Sequence, residues 1–265
     1  MKKKIFLVVQ ARTNSKRLKS KILLKIFDKT IFEILLERIK KIKNFNKILI
    51  ATTKRKQDDE IVFLAKKNSI KVFRGSEKNV LKRFYDTLKN IKPSVIIRIT
   101  ADCPLIDWKY VDELINFYLK NDYDYVSNFY SQNLPEGFYC EVFNFKSLAK
   151  TYRDAKNDFD KEHVTSFMWK NPYKFKIHHY KTMYKIPFLK NLRLTLDYKE
   201  DYKLIKIVVE HFYKKKKFFS LVDIINFLKK NRNLMLLNNK YILNHQKKYQ
   251  KRRLNIFKKY LISKK

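Results

Sequence analysis

The amino-acid sequence predicts an α/β fold built around a mostly parallel, doubly wound sheet. Two observations lead to it. Short apolar runs typical of buried strands alternate with segments whose apolar residues recur at helical spacing, and the connections between them are short. Such a strand–helix rhythm favours a parallel sheet with helices on its faces. The chain has 265 residues, 45% of them hydrophobic, which is enough for the core of one large domain.

The elements of the first half follow this rhythm in order. Residues 5–9 are an apolar run and predict the first strand, and residues 31–42 carry apolar side chains at helical spacing. The helix predicted over 58–68 has Asp58 and Asp59 in its first turn, where the helix dipole favours negative charge. Further strands are predicted over 47–51, 71–73 and 95–99, and further helices over 79–89 and 108–120.

The second half has a less regular pattern. Strands are predicted over 125–128 and 140–144, around a turn at residues 135–137, and again over 174–179 and 193–196. Helices are predicted over 146–152, 161–168, 201–211 and 221–229. We therefore take residues 1–228 as the folded domain and residues 229–265 as a basic, loosely helical C-terminal extension.

The formal net charge of +37 is the most extreme property of the composition. A basic chain attracts nucleic acid or anionic membrane, but the lysines are spread from end to end, which favours a solvated basic surface. We expect no nucleic-acid partner, and contact of the basic tail with a membrane surface is left open. No apolar run is long enough to span a bilayer, so we expect a cytoplasmic protein.

Glycine and cysteine usage excludes several kinds of site. The two glycines, Gly75 and Gly137, are too few for a Walker loop or a dinucleotide-binding motif. The two cysteines, Cys103 and Cys140, have no metal-binding spacing and are too few for a disulfide framework. A nucleotide would therefore have to be bound by side chains and ordinary backbone.

The loop after the first strand is rich in cations and hydroxyls. It offers Arg12, Ser15, Arg17 and Lys21. Arginine binds phosphate oxygens in bidentate fashion and lysine adds a mobile point charge, so together they could neutralise a triphosphate. Ligands of open α/β folds lie at the carboxyl ends of the strands, where this loop is predicted. The alternative is an ordinary surface loop in a basic protein.

Two carboxylates, Asp102 and Asp197, also follow predicted strands. Mg²⁺ prefers one or two carboxylates together with substrate phosphates, so this pair could hold the ion. The alternative for Asp102 is a turn or helix cap. Asp107 is predicted to be the N-cap of the next helix, and Asp201 to cap its helix or face solvent. A cationic loop and two carboxylates at strand ends would together suit nucleotidyl transfer.

Motifs along the chain resemble those of one known family. Residues 9–21 carry Val-Gln-Ala-Arg and then Ser-Lys-Arg-Leu, and later stretches include Phe-Arg-Gly-Ser-Glu at 73–77, Arg-Ile-Thr-Ala-Asp-Cys-Pro-Leu-Ile-Asp at 98–107, Asp-Tyr-Val-Ser-Asn at 124–128, Glu-His-Val-Thr at 162–165 and Thr-Leu-Asp at 195–197. In this order they resemble the spore coat polysaccharide biosynthesis cytidylyltransferases, relatives of the CMP-sialate and CMP-Kdo synthetases. The resemblance covers about residues 1–212.

The resemblance implies a Rossmann-like, three-layer α/β/α nucleotidyltransferase fold, with CTP as donor and Mg²⁺ as cofactor. Arg12, Lys21 and Asp102 would be catalytic, and Asp102 with Asp197 would bind the metal. The implied nucleotide-binding residues are Gln10, Ala11, Arg12, Ser15, Arg17, Lys21, Arg74, Ser76, Arg83 and Arg98. The implied acceptor-binding residues are Glu136, Glu141, Glu162 and His163.

The sequence therefore leads to one leading hypothesis. The protein transfers CMP from CTP to an acidic sugar, or to a sugar or polyol phosphate, and releases pyrophosphate, for surface polysaccharide or glycoconjugate biosynthesis. Its partners would be CTP and the small-molecule acceptor, with a homodimer as an open alternative. Two other functions stay open: a non-catalytic protein of the same fold that binds nucleic acid or anionic membrane, and a nucleotidyltransferase that uses another nucleoside triphosphate.

Overall fold

A mostly parallel sheet forms the centre of the protein, as predicted, and it has seven strands in the described part of the chain. The computed structural model describes residues 3–128, 134–182, 192–215 and 218–242. The strand order is β5-β4-β1-β6-β8-β7-β9, and β8 runs antiparallel to both of its neighbours. The strands are β1 (Ile5–Gln10), β4 (Lys47–Thr53), β5 (Lys71–Gly75), β6 (Val95–Thr100), β7 (Tyr125–Ser127), β8 (Glu141–Phe143) and β9 (Ile177–His179), and β2 (Lys25–Ile26) pairs with β3 (Lys29–Thr30) in a separate hairpin.

Helices follow most of the strands. They are α1 (Ile31–Ile39), α2 (Asp59–Lys67), α3 (Val80–Leu88), α4 (Trp108–Lys120), α5 (Phe145–Asp154), α6 (Asp158–Glu162), α7 (Ser166–Lys170), α8 (Lys199–Tyr213) and α9 (Leu221–Lys230). Local sequence explains where several of them begin. At α1, for example, the Thr30 hydroxyl accepts a hydrogen bond from the Glu33 N–H while the Glu33 carboxylate accepts one from the Thr30 N–H, a reciprocal capping box.

Successive side chains of each strand point to opposite faces of the sheet, so one apolar cluster forms on each face. In β1, Leu7 and Val9 pack with α1, α2 and α4 on one face of the sheet. Phe6 and Val8 point to the opposite face and pack with α3 and α5. A third cluster joins α8 and α9 to α1 and the β2–β3 hairpin. The result is the predicted three-layer arrangement, in which the loops after β1 and β6 meet at one edge of the sheet.

Two predicted elements differ from the observed ones. The segment predicted as a strand over 193–196 makes one isolated bridge, between Arg193 and Glu136, and does not join the sheet. The helix predicted over 161–168 is divided into α6 and α7, because Val164 adopts a left-handed φ of 46° that a continuous helix excludes.

The chain continues to pack on the fold after residue 228. Helix α9 runs to Lys230, a short 3₁₀ helix spans Arg232–Leu236, and Ile242 is buried. The boundary predicted at 228 stays a prediction, and the basic tail from 243 lies outside the described residues. Within the described parts of the chain, no helix has the length and apolar character that crossing a membrane requires.

Candidate active site

A cleft of about 550 Å³ opens at the carboxyl ends of β1 and β6. This is the sheet edge at which α/β folds bind ligands. Most of the residues predicted to bind substrate line it. The lining side chains are those of Gln10, Arg12, Ser15, Lys16, Arg17, Lys21, Ile22, Val80, Arg98, Thr100, Ala101, Asp102, Glu162, His163 and Asp197.

The loop from Arg12 to Lys21 folds back on itself. The carbonyl of Thr13 accepts hydrogen bonds from the N–H groups of Ser15 (2.8 Å) and Ser20 (3.0 Å). Ser20 adopts a left-handed conformation with φ of 50°, and the 3₁₀ helix Lys21–Leu23 starts directly after it. This turn directs the buried Lys21 side chain into the cleft, while Arg17 lies half-exposed at its mouth.

A buried carboxylate, Asp58, fixes the start of this loop. It accepts hydrogen bonds from the Thr13 N–H and hydroxyl, both at 2.7 Å, and from the Thr53 hydroxyl at the end of β4. Burial opposes ionisation, but the hydrogen bonds from Thr53 and Thr13 outweigh it and lower the pKa of Asp58. Asp58 thus stays charged and ties the cationic loop to β4. The sequence showed only an acidic residue in a first helical turn.

Lys21 lies between the two carboxylates predicted to bind metal. Its Nζ is 2.9 Å from Asp102 Oδ2 and 2.8 Å from Asp197 Oδ1. Burial alone would lower the pKa of Lys21, yet the two carboxylates raise it. Burial likewise opposes charge on Asp102 and Asp197, but Lys21 lowers the pKa of both. All three groups are therefore held in their charged forms.

Backbone hydrogen bonds explain why Asp102 and Asp197 meet. The main-chain carbonyl of Asp102, just after β6, accepts from the Leu196 N–H at 2.8 Å and from the Thr195 hydroxyl at 3.0 Å. Asp201 then caps the start of α8 by accepting from the N–H groups of Asp197 and Tyr198. The segment before α8 is thereby placed against the loop after β6, which brings the two carboxylates together.

Arg193 supports Asp197 from the protein interior. Its guanidinium is buried and contacts Glu136 at 2.5 Å, Asp197 at 2.8 Å and Asp201 at 3.0 Å. Burial opposes its charge, but Glu136 and Asp201 raise its pKa, so it stays cationic. Burial raises the pKa of Glu136 to about 7 against the opposing effect of Arg193. Arg193 is not among the residues predicted for the site, and its one signal in the sequence is its position as an arginine in the apolar run Leu192–Leu196.

Some predicted nucleotide-binding residues lie outside the cleft lining. Arg74 bonds to the carbonyls of Thr53 and Arg55 and to the Asp59 carboxylate. Ala11 is buried, and Ser76 accepts from the Asn79 N–H.

Arg83 is fully buried and has one hydrogen bond, from Nη1 to the Ser76 carbonyl at 2.8 Å. Among the residues that the structure describes, its Nε and Nη2 have no hydrogen-bond partner, and burial lowers its pKa to about 10. It lies one helical turn after Val80, which lines the cleft, so its guanidinium is close to the site without facing it.

The predicted acceptor residues divide into two pairs. Glu162 and His163 line the cleft, and Glu162 lies 3.8 Å from Arg12. Glu136 and Glu141 do not line it. Glu141 is buried and accepts from Tyr125 (2.6 Å), Thr165 (2.5 Å) and Arg98, and Arg98 also donates to Gln10 Oε1 at 2.9 Å. Glu141 therefore holds Arg98 at the cleft floor.

The two carboxylates on Lys21 are the residues that could hold a metal. Among the described residues, no cluster of three or more His, Cys, Asp or Glu side chains forms a metal site. Two carboxylates that both bond to the Nζ of Lys21 are close enough to bind one metal cation together. Mg²⁺ bound there would complete its coordination with phosphate oxygens. Asp102 and Asp197 thus fit this ion, with the ammonium of Lys21 as its competitor.

Comparisons with known proteins identify the family of this chain. A family model described as cytidylyltransferase matches residues 6–242. The chain is 33% identical over 219 residues to the spore coat polysaccharide biosynthesis protein SpsF of Bacillus subtilis, covering 78% of this chain and 86% of that protein. A cytidylyltransferase structure from Leptospira borgpetersenii matches with a TM-score of 0.82 and 33% identity, over 88% of this chain and 97% of that one.

A more distant structure shares the fold. CMP:2-keto-3-deoxy-manno-octonic acid synthetase, solved in complex with CTP, matches with a TM-score of 0.59 and 13% identity, over 78% of this chain and 99% of that one. These matches confirm the predicted family and fold. The chain belongs to the cytidylyltransferase family, a family of nucleotidyltransferases.

Proposed function

We propose that the protein is a Mg²⁺-dependent cytidylyltransferase that transfers CMP from CTP to an acidic sugar, or to a sugar or polyol phosphate. The observation that carries this proposal is the meeting of Arg12, Arg17 and Lys21 with Asp102 and Asp197 in one cleft. Family membership supports CTP as the donor. The name of the Bacillus relative supports a role in surface polysaccharide synthesis.

The transfer is a substitution at phosphorus. An oxygen of the acceptor attacks the α-phosphorus of CTP, a new P–O bond forms, the bond between the α- and β-phosphates breaks, and pyrophosphate leaves as the acceptor oxygen loses its proton. Arg12, Arg17 and Lys21 would bind the phosphates and stabilise the charge that develops on pyrophosphate. Lys21 is already positioned by Asp102 and Asp197, so it can exchange carboxylate oxygens for phosphate oxygens by a short movement.

Asp102 and Asp197 would hold the magnesium ion. When bound there, Mg²⁺ would neutralise phosphate charge and polarise the phosphoryl oxygens. The carboxylates suit this role because both are kept ionised, Asp102 by Lys21 and Asp197 by Lys21 and Arg17.

The cleft also supports an anionic acceptor. Lys16, Arg12 and Arg98 add positive charge to its lining, while Glu162 and His163 offer groups that can bind hydroxyls. The His163 ring is held 4.3 Å from the Phe159 ring, which orients it. Glu136 and Glu141 would act indirectly, by holding Arg193 and Arg98. Homodimer formation, membrane contact by the tail and a cytoplasmic location stay predictions.

Pyrophosphate release tests this proposal directly. The purified protein is incubated with Mg²⁺, each of the four nucleoside triphosphates and a panel of nonulosonic acids, Kdo and polyol phosphates. We expect turnover with CTP and an anionic acceptor. Asp102→Asn should lower kcat at least about 100-fold with the fold retained, whereas Asp59→Asn, on the outer surface beside Arg74, should leave kcat unchanged. Absence of turnover with every pair, together with no thermal shift by CTP, would refute the function.

A further inference from the structure

The segment after α9, residues 231–242, returns to the active site. We refer to it as the C-terminal segment. After the 3₁₀ helix Arg232–Leu236 it reaches the start of α8, where Asn238 is 1% exposed and Ile242 is buried. Its partners there are charged and aromatic side chains close to the cleft. These contacts lie within residues 229–265, which the sequence predicts to be a basic C-terminal extension.

Asn238 joins the buried charges behind Asp197. Its Nδ2 donates to Asp201 Oδ1 at 2.8 Å and to the Arg193 carbonyl at 3.0 Å. Asp201 in turn accepts from the Asp197 N–H at 2.9 Å, and Arg193 donates to the Asp197 carboxylate at 2.8 Å. One buried amide of the C-terminal segment therefore bonds to the Asp201 carboxylate and to the main-chain carbonyl of Arg193, and these are the two residues that orient Asp197.

Tyr241 reaches the cationic loop through one aromatic ring. It stacks on Tyr198 with ring centroids 3.6 Å apart and planes within 1°, and its hydroxyl donates to Glu200 at 3.0 Å. The Arg17 guanidinium lies 5.1 Å from the centre of the same Tyr198 ring and 2.7 Å from Asp197. The Arg17 side chain is half-exposed and would otherwise sample many rotamers. Its contacts with the Tyr198 ring and the Asp197 carboxylate restrict them.

We propose that the C-terminal segment positions the nucleotide-binding groups, with Tyr241 and Asn238 as positioning residues. Tyr241 fixes the Tyr198 ring and thereby Arg17, and Asn238 fixes Arg193 and Asp201 and thereby Asp197. This inference rests on the proposed function, because it assigns these contacts a role in binding CTP. A side chain that is already ordered loses less entropy when it binds phosphate, so the segment raises affinity for the nucleotide.

Substitutions of Tyr241 in the full-length protein test the proposal. Tyr241 is only partly buried, so the fold should tolerate its loss. We expect Tyr241→Ala to raise the Kd for CTP about 3- to 10-fold, the range expected for one aromatic contact. Tyr241→Phe keeps the ring and should stay within about twofold of wild type. Tyr173→Ala removes an exposed tyrosine elsewhere and is the matched control.

A double variant tests whether Tyr241 acts through the Tyr198 ring. If Tyr241 acts through Tyr198, then Tyr198→Leu combined with Tyr241→Ala should bind CTP no more weakly than Tyr198→Leu alone, because coupled substitutions are not additive. Additive losses would contradict this route. Tyr241→Ala that binds CTP as tightly as wild type would overturn the proposal altogether.

Hydrogen exchange separates this inference from the proposed function. Mass spectrometry of the ligand-free protein should show faster exchange in peptides covering 12–21 and 194–202 in Tyr241→Ala than in wild type or Tyr173→Ala. A wild-type protein that bound no CTP would refute the function, and exchange would then decide the positioning role alone. Unchanged exchange in both peptides would overturn the positioning role of the C-terminal segment.

Discussion

Lys21→Met tests whether one ammonium holds the two acidic groups of the cleft together. The substitution keeps the unbranched side chain but removes its charge. In the wild-type protein, Lys21 Nζ bonds to Asp102 at 2.9 Å and to Asp197 at 2.8 Å. Without it, two negative carboxylates face each other across the cleft floor, and we expect both the stability of the fold and its response to cations to change.

The size of the stability loss follows from what each carboxylate retains. Removing one partner of a buried ion pair costs about 3–5 kcal/mol. Asp197 keeps Arg17 and Arg193, so the loss falls mainly on Asp102, whose side chain is 31% exposed and partly screened by water. We therefore expect a loss of about 2–3 kcal/mol in the free energy of unfolding, which lowers Tm by about 4–12 °C for a domain of this size.

Thermal melts with and without magnesium are the assay. In excess MgCl₂ and without nucleotide, Lys21→Met should regain much of its lost Tm, because the cation takes the place of the ammonium between the carboxylates. The wild-type protein should respond weakly, because Lys21 occupies that place. Lys19→Met, an exposed lysine of the same loop, controls for the general loss of charge.

Two results would contradict this reasoning. A decrease in Tm no larger for Lys21→Met than for Lys19→Met would show that the ion pairs add nothing to stability. An equal magnesium response in Lys21→Met and wild type would show that the carboxylates are not a cation site controlled by Lys21.

Three further predictions concern groups around the cleft. Asp58→Asn should lower the free energy of unfolding by about 1–3 kcal/mol in urea titrations and weaken CTP binding, because Thr13 at the start of the loop loses its charged acceptor. Gly137→Ala should lower Tm far more than Gly75→Ala in scanning fluorimetry. Gly137 has a φ of +106°, and a Cβ there would lie 2.5 Å from backbone atoms, whereas a Cβ on Gly75 would meet only side-chain atoms, at 2.9 Å. Burial raises the pKa of Glu136 from 4.5 to about 7. Between these pH values the folded state therefore binds more protons than the unfolded state, and the free energy of unfolding falls as pH rises. Glu136→Gln should flatten that fall in thermal melts between these pH values, and an unchanged slope would contradict the raised pKa of Glu136.

The parts of the site predicted from sequence are those that depend on strand ends. Apolar runs locate the strands, and parallel strands bring their carboxyl ends to one edge, so the loop after β1 and Asp102 after β6 were predicted together. Asp197 was also expected there, although the segment before it pairs with the Asp102 carbonyl and is not a strand of the sheet. Arg74 was expected near the nucleotide from the family resemblance alone. It bonds outside the cleft lining, because it lies on the edge strand β5, which β4 separates from β1.

The remaining features depend on contacts between residues distant in sequence. Periodicity reports which face of an element is apolar, but it does not report which charges pair. The burial of Arg193 among Glu136, Asp197 and Asp201 has no local signal beyond one arginine in an apolar run. The return of Tyr241 to Tyr198 has none, because the sequence from 229 onward reads as a basic extension.

The scarcity of glycine explains why these distant contacts matter for the site. A glycine-rich loop binds phosphate with backbone N–H groups that are already in place. In the site proposed here the phosphate-binding groups would be long side chains, which need partners to stay ordered when no nucleotide is bound. Asp102 and Asp197 are those partners for Lys21, and Asp197 is also the partner of Arg17.

If the proposed function holds, the same arrangement would couple the nucleotide to the metal. Binding of CTP would draw Lys21 toward phosphate and leave two carboxylates that Mg²⁺ could occupy, and Mg²⁺ held by the carboxylates would free Lys21 to bind phosphate. Each ligand would then complete the site of the other, which is a reciprocal coupling free energy. Calorimetric titrations of CTP with and without Mg²⁺ should show this coupling in the wild-type protein. Because Mg²⁺ also binds CTP in solution, the decisive comparison is with Lys21→Met. The gain in affinity produced by Mg²⁺ should be smaller in that variant, where no ammonium has to be displaced, and an equal gain in both proteins would refute the coupling.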